Sequence, residues 1–209
     1  MIGKNLARRE NGVHIEPTTA MTIFGNTLRT PRLILRKAEE KDIPILADWS
    51  NSITAHGTYL TPDRTPVSRF LEEYAAGMHW SEQRRTFVIE IRNLLPLPIG
   101  TIHYWLRPEQ QRCAVMALKV AETGYRNRGY GTEAQKYIII HLMQRMKLSA
   151  VEMYTDIDNT PQQRCLHKLG FELRESLQYE DRGVSRTGHL YRLDAERFLR
   201  TPMYHFHYE

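Results

Sequence analysis

Cysteine is nearly absent. Cys113 and Cys165 are the two cysteines among 209 residues, and both stand on segments patterned as regular elements, without metal-ligand spacing around them. A disulfide-stapled secreted scaffold and a zinc ribbon are excluded, no metal is expected, and a reducing compartment, the cytoplasm, is the simple inference. Long hydrophobic runs are missing too. The strongest, Tyr137 to Met143, falls far short of the roughly 18 apolar residues that mark a membrane span. Lys4, Arg8, Arg9 and Glu10 are followed by no apolar stretch, so no secretory signal is read there. There is also no run of five like charges. The 29 Lys and Arg residues are interleaved with 24 Asp and Glu, leaving a net charge of +5. That describes a mildly basic surface, not a nucleic-acid arm, although it suits a ribosome-associated partner or an anionic cofactor. Neither a membrane nor sequence-specific nucleic acid is an expected partner.

What the chain has is one domain's worth of core, with 41% hydrophobic residues. Residues 1–23 show no periodicity and read as a flexible N-terminal extension, in which Met21 is an alternative start. Residues 24–198 carry the patterned domain, and 199–209 read as a tail. Within the domain, Arg32 to Arg36 alternates as a half-buried strand, and helices are predicted over Glu39–Ser50 and Pro66–Met78. Strands follow over Arg84–Ile91, Ile99–Leu106 and Cys113–Ala121, the first two flanking the turn Leu94-Leu95-Pro96-Leu97-Pro98. A long helix over Thr132–Met146, a strand over Ala150–Asp156 and a short helix over Pro161–Leu169 come next. Two strands, Phe171–Tyr179 and Gly188–Leu193, close an α/β layout without internal repeat.

The densest signal is Gly124-Tyr125-Arg126-Asn127-Arg128-Gly129-Tyr130-Gly131-Thr132-Glu133-Ala134, which joins a strand to a helix. Glycines let backbone N–H groups approach a ligand, and a helix start adds unpaired donors with partial positive charge. Arg126 and Arg128 add charge-assisted donors. Such a loop can hold a pyrophosphate. A plain glycine turn with two solvated arginines is the bland alternative. The dinucleotide fingerprint Gly-x-Gly-x-x-Ala fits formally, but roughly seven turn residues separate it from the preceding strand, and too little chain follows for the remaining βα units. A coenzyme A site is the third reading.

The segment Arg126-Asn127-Arg128-Gly129-Tyr130-Gly131 resembles the Gln/Arg-x-x-Gly-x-Gly/Ala signature of the GNAT N-acetyltransferase superfamily. Asn159-Thr160-Pro161-Gln162-Gln163-Arg164-Cys165-Leu166-His167-Lys168-Leu169-Gly170-Phe171 is similar to the family's Asn-x-x-Ala/Ser block ending in Lys-x-Gly-Phe. Leu28-Arg29-Thr30-Pro31-Arg32-Leu33-Ile34-Leu35-Arg36 resembles the first strand of the branch that acetylates ribosomal-protein N-termini. The three blocks span about residues 25–195. The resemblance implies a GNAT-type acyl-CoA N-acyltransferase fold, a mixed, mostly antiparallel sheet splayed around the cofactor with helices on both faces. It implies acetyl-CoA as co-substrate. It places Val120 on the pantetheine arm, Arg126, Asn127, Arg128, Gly129, Tyr130, Gly131 and Thr132 at the pyrophosphate, and Asn159 on the arm's other side. Asn159 also fits as N-cap of the following helix, a compatible role.

Direct acyl transfer needs an uncharged amine, a proton acceptor, and stabilisation of the oxyanion and the thiolate. Here the sequence departs from the family. The slot for its thiolate-side tyrosine holds Leu166, and the slot for an acidic residue on the preceding strand falls near Met116. Tyr154 and His103 are the remaining catalytic candidates, the first as a proton shuttle through water, the second as a relay that titrates near neutrality. Each has a packing role as its alternative. Glu122 reads as a solvated loop residue and His141 as a satisfied core histidine. His205 and His207, at the tail, are weak evidence for metal, and Cys165 lacks a positioned base for covalent catalysis.

The acceptor segments are expected at Trp49–Arg64, offering Trp49, His56, Tyr59 and Asp63, and at Gln178–Gly188, offering Tyr179, Glu180, Asp181 and Arg182. The expected activity is N-acetylation of a primary amine in a ternary complex, with a protein N-terminal α-amine favoured by the first-strand resemblance. A small-molecule amine (polyamine, antibiotic or amino-acid-like) is the alternative within enzymes. A catalytically weak acyl-CoA-binding regulator, suggested by Leu166 and Met116, is the alternative outside them. A monomer or homodimer is expected.

Overall fold

The computed structural model describes residues 26–59, 61–109, 112–181 and 183–205. The predicted leader 1–23 lies outside them. Eight strands form one sheet: β1 (Thr27–Arg29), β2 (Leu33–Lys37), β3 (Arg84–Ile91), β4 (Leu97–Leu106), β5 (Cys113–Val120), β6 (Ala150–Asp156), β7 (Glu172–Asp181) and β8 (Val184–Asp194). Their spatial order is β1-β2-β3-β4-β5-β6-β8-β7. Every neighbouring pair is antiparallel except β5 and β6, which run parallel. A parallel pair requires a crossover, and α4 (Tyr130–Ile140) supplies it, continued by a π-helical turn over His141–Arg145.

The two faces of the sheet are covered differently. Ile102 and Tyr104 of β4 belong to the main core with Ile138, Ile139 and Leu142, with Leu166 in the last turn of α5 (Thr160–Lys168) and with Phe171 just beyond it. On the opposite face, Val88 joins a smaller core with Ile43, Leu46 and Trp49 of α1 (Ile43–Asn51), Ala55 of α2 (Ile53–His56) and Ala121. Phe70 and Tyr74 of α3 (Val67–Ala75) pack against that second core. Arg36 fastens α1 to the sheet. Its guanidinium donates to both Asp42 oxygens at 2.6 and 2.7 Å and to Glu90 at 2.9 Å.

The segment read as a tail is built onto the domain as far as Tyr204. Helix α6 (Ala195–Arg200) precedes a 3-10 turn at Pro202–Tyr204, and buried Tyr204 donates from its hydroxyl to Leu169 O at 2.7 Å. His205 sits against Leu199 O at 2.5 Å, while His207 lies outside the described residues.

His141 is buried as expected but is not satisfied: neither ring nitrogen has a hydrogen-bond partner among the described residues. Burial, with repulsion from Arg85 and Arg145 added, pushes its pKa down to about 4. The unfolded chain therefore binds this proton more readily, so the contribution to stability is present above about pH 6.5 and is lost as pH falls towards 4. We expect the protein to lose on the order of 2 kcal/mol from this group between pH 7.5 and 5. Denaturant unfolding of His141→Leu at both pH values checks it: the acid-side loss should shrink by about that amount.

Candidate active site

β5 and β6 pair at Cys113–Ala150, Ala114–Val151 and Val115–Glu152 and then part. Beyond that point β5 continues against β4 as far as Val120, and β6 continues against β8 as far as Asp156. Their facing edges, Met116–Val120 and Met153–Asp156, are thus unpaired with each other, leaving backbone donors and acceptors in need of partners. Glu152 marks the fork. It is buried and accepts from Arg107 Nε at 2.6 Å and from Arg192 at 2.8 Å.

A cavity of about 480 Å³ runs through the opening. Leu118, Lys119 and Val120 line it from β5, and Asn127, Gly129, Gly131, Thr132 and Gln135 from the loop and α4. Asn159, Pro161, Gln162 and Cys165 line it from the α5 side, with His56 to Tyr59 closing it from the opposite face. The local sequence explains the loop. Asn127 and Gly129 both adopt left-handed backbone, with φ of 59° and 80°. Gly129 is the N-cap of α4, and Gly129, Gly131 and Thr132 line the cavity, so the first helical turn, whose N–H groups have no intrahelical acceptor, borders it. At Gly131 a Cβ would stand 3.1 Å from Leu118 Cδ2, so glycine is what lets this turn approach β5.

Seven of the nine expected cofactor residues line this cavity: Val120, Arg126, Asn127, Gly129, Gly131, Thr132 and Asn159. Asn159 is also the N-cap of α5, its Oδ1 accepting from Gln162 N at 3.2 Å. Arg126 carries its charge inward: it donates from Nε to Val120 O and from a terminal nitrogen to Thr54 O and Ala55 O, each at 2.8 Å, tying the end of β5 to α2. Arg128 and Tyr130 stand at the loop's outer side. The Arg128 guanidinium lies over the Tyr125 ring at 5.8 Å, and Arg32 lies over Tyr130 at 4.6 Å.

The two expected catalytic residues do not line the cavity. Tyr154 is exposed on β6, and its hydroxyl accepts from Arg107. His103 stacks with Trp105 at 5.7 Å on β4, cross-strand from Ala117. Although only partly covered, it is densely surrounded. Burial first, then the charges of Arg84, Lys119 and His79, push its pKa down to about 4, so it is neutral at pH 7. Met116 and Leu166 are both buried in the main core.

Of the acceptor segments, His56 and Tyr59 line the cavity. Thr61 N donates to Asp181 at 2.9 Å, joining the α2–α3 loop to the end of β7, and Arg182 lies outside the described residues. Trp49 is buried and donates from Nε1 to Glu122 at 2.8 Å, so Glu122 is a bonded acceptor and not a purely solvated loop residue. His56 Nδ1 lies 3.1 Å from Ser52 O, which assigns its proton to that nitrogen and leaves Nε2 as acceptor, 3.0 Å from Lys119 Nζ. Burial lowers the Lys119 pKa against an opposing pull from Asp63.

Sequence reasoning missed several wall residues. Gln135 is fully buried, donating to Gly131 O at 3.0 Å and accepting from Gln162 at 2.8 Å. The i, i+4 spacing from Gly131 places it on the cavity face of α4 and was its only local signal. Burial raises the Cys165 thiol, consistent with an inert wall group. Lys119 had no local signal at all. Among the described residues no three His, Cys, Asp or Glu side chains group to hold a metal, and no helix is long and apolar enough to cross a membrane.

A sheet that parts beside a glycine-built helix N-terminus leaves two strand edges and a helix start facing one cavity. The acetyltransferase (GNAT) domain model matches residues 32–172, and the chain belongs to that family. Solved structures agree on the fold. Spermidine N-acetyltransferase from Vibrio cholerae, in complex with CoA and spermine, superposes with a TM-score of 0.70 at 16% identity, over 80% of this chain and 98% of that one. RimL, a ribosomal-protein alpha-N-acetyltransferase in complex with coenzyme A, gives 0.67 at 15% identity over 79% and 95%. Mycobacterium smegmatis RimJ in complex with a CoA disulfide gives 0.64 at 19% over 81% and 89%. No curated protein sequence matches the chain.

Proposed function

We propose that this protein transfers the acetyl group of acetyl-CoA to a primary amine in a ternary complex, and that the amine is a protein N-terminal α-amine. The cavity supports the first half. When bound, acetyl-CoA supplies the thioester carbonyl. The unpaired edge at Leu118–Val120 and the Asn159 side chain hold the pantetheine arm, and the N–H groups around Asn127–Thr132 hold the pyrophosphate, with Arg128 and Tyr130 at the loop's outer side.

The charge on the acceptor face carries the second half. Lys119 and Arg84 are close enough to depress His103. The nearby carboxylates are engaged: Asp63 with Ser50, Asp156 and Asp181 with Arg186, Glu152 with Arg107 and Arg192. A polyamine needs several carboxylates for its several ammonium groups, and Asp156, Asp181 and Glu152 are already held by arginines, which favours an acceptor with a single amine.

The proton leaving the amine is assigned to His56 Nε2, which releases its bond from Lys119 Nζ to accept it, with His103 and Tyr154 as relay groups. Turnover followed by thiol release tests both assignments. Short peptides with free N-termini are expected to exceed spermidine in kcat/KM by at least about tenfold, and spermidine as the better acceptor would reject the reading. His56→Ala should lower kcat about 10²-fold with little change in KM for acetyl-CoA; His103→Ala and Tyr154→Phe should cost about tenfold or less.

A further inference from the structure

Among the described residues, Lys119 of β5 is the one lysine that lines the main cavity. It stands on the strand edge Met116–Val120, beyond the last pairing of β5 with β6. Its Nζ donates to His56 Nε2 at 3.0 Å, because Ser52 O, 3.1 Å from Nδ1, holds the His56 proton on that other nitrogen. A lysine ammonium withdrawn from water ordinarily faces a carboxylate. The hydrogen-bond partner of Lys119 is a neutral imidazole instead. Burial lowers the Lys119 pKa against the opposing pull of Asp63, which raises the share of neutral amine.

This is the arrangement of an acceptor amine beside its base. A general base works at about 2.6–3.2 Å from the nitrogen whose proton it takes. The nitrogen standing within that distance of His56 Nε2 is the protein's own. A neutral amine that donates one N–H to an imidazole keeps its lone pair for attack. We propose that Lys119 is a self-acetylation site, its Nζ accepting the acetyl group of acetyl-CoA bound in the same chain. The inference rests on the acetyl-CoA reading above. Lys119 Nζ attacks the thioester carbonyl carbon; the C–N bond forms, and the C–S bond breaks with its electron pair leaving on sulfur. His56 Nε2 takes the excess proton from the nitrogen and returns it to the departing thiolate, so the products are an acetylated lysine and free CoA. Holding amine and donor in one cavity makes the step effectively unimolecular. The amide formed is not nucleophilic and has lost the ammonium charge, so transfer stops at one acetyl group per chain.

Incubation of the whole protein with acetyl-CoA and no added amine, read by intact mass and peptide mapping before and after, tests this. One acetyl group per chain is expected at Lys119, gained at least about tenfold faster than at exposed Lys41. The rate per chain should not change on dilution of the protein, and excess CoA should slow labelling at Lys119 but not at Lys41. Lys119→Arg should bind acetyl-CoA and keep its unmodified mass over the same interval. Binding of acetyl-CoA by calorimetry without acetylation of Lys119 overturns the proposal and leaves the acetyl-CoA reading intact. Labelling of Lys119 no faster than Lys41, insensitive to CoA or slowed by dilution also overturns it, because the acetyl group then arrives from solution or from another molecule. No binding of acetyl-CoA overturns both.

Discussion

Gly129→Asp should lose about two orders of magnitude in acetyl-CoA affinity relative to Gly129→Asn. The pair is chosen because position 129 is left-handed, with φ of 80°, a conformation that Asn and Asp tolerate better than other side chains. Both substitutions add the same bulk, and both meet the same neighbour, since a Cβ there would lie 3.3 Å from an Arg32 terminal nitrogen. They differ in one negative charge at the N-terminus of α4. A carboxylate within about 5 Å of a pyrophosphate, at an effective dielectric constant near 20, costs about 3 kcal/mol. In the free protein the same charge is favourable at a helix start, by about 0.3–1 kcal/mol. The Asp variant should therefore melt at or above the Asn variant while binding far more weakly. Calorimetry and thermal unfolding on the two proteins check it. Equal affinity would show that the pyrophosphate does not lie on this turn.

Arg126→Met should cost about 2–3 kcal/mol of stability in the free protein, roughly 4–12 °C in Tm, together with about 10²-fold in kcat/KM. Arg126 was expected to offer its charge to a phosphate. The fold instead directs its guanidinium to the carbonyls of Val120, Thr54, Ala55 and Ala121. Removing it strips four acceptors of a charged donor and loosens α2 from the end of β5, so the cavity wall carrying His56 moves. Arg126→Lys should recover little, because one ammonium cannot reproduce the guanidinium fork. Unfolding without ligand separates the two roles: a variant that binds acetyl-CoA poorly yet melts like the wild type would return Arg126 to the phosphate.

Some strands were readable from local sequence alone. β3 and β6 fall at Arg84–Ile91 and Ala150–Asp156, the predicted bounds, although both are buried along most of their length and do not alternate. So was the glycine loop, because a left-handed N-cap and a close helix–strand approach restrict residue choice at single positions. The three sequence blocks turn out to be physically joined. Thr30 and Arg32 of the first grip Glu133 of the second, and Thr132 of the second, with Gln135 just beyond it, meets Cys165 of the third. Their co-occurrence in one chain was legible, but the bonds between them were not.

Other features lacked a local signal. Helix α2 spans Ile53–His56, a single turn too short to show periodicity, and it carries the histidine that reaches the cavity. β1 is three residues long and is defined by pairing with β2. The direction of a long, flexible side chain such as Arg126, Lys119 or Arg107 is set by acceptors from distant segments, so residue type and spacing do not decide it. Sequence by itself determined the family, the order of the longer elements and the glycine turn that opens α4, because these rest on local backbone constraints. The tertiary structure alone decided how far β5 and β6 stay paired and which charges face the opening, because each depends on contacts between segments far apart in the chain.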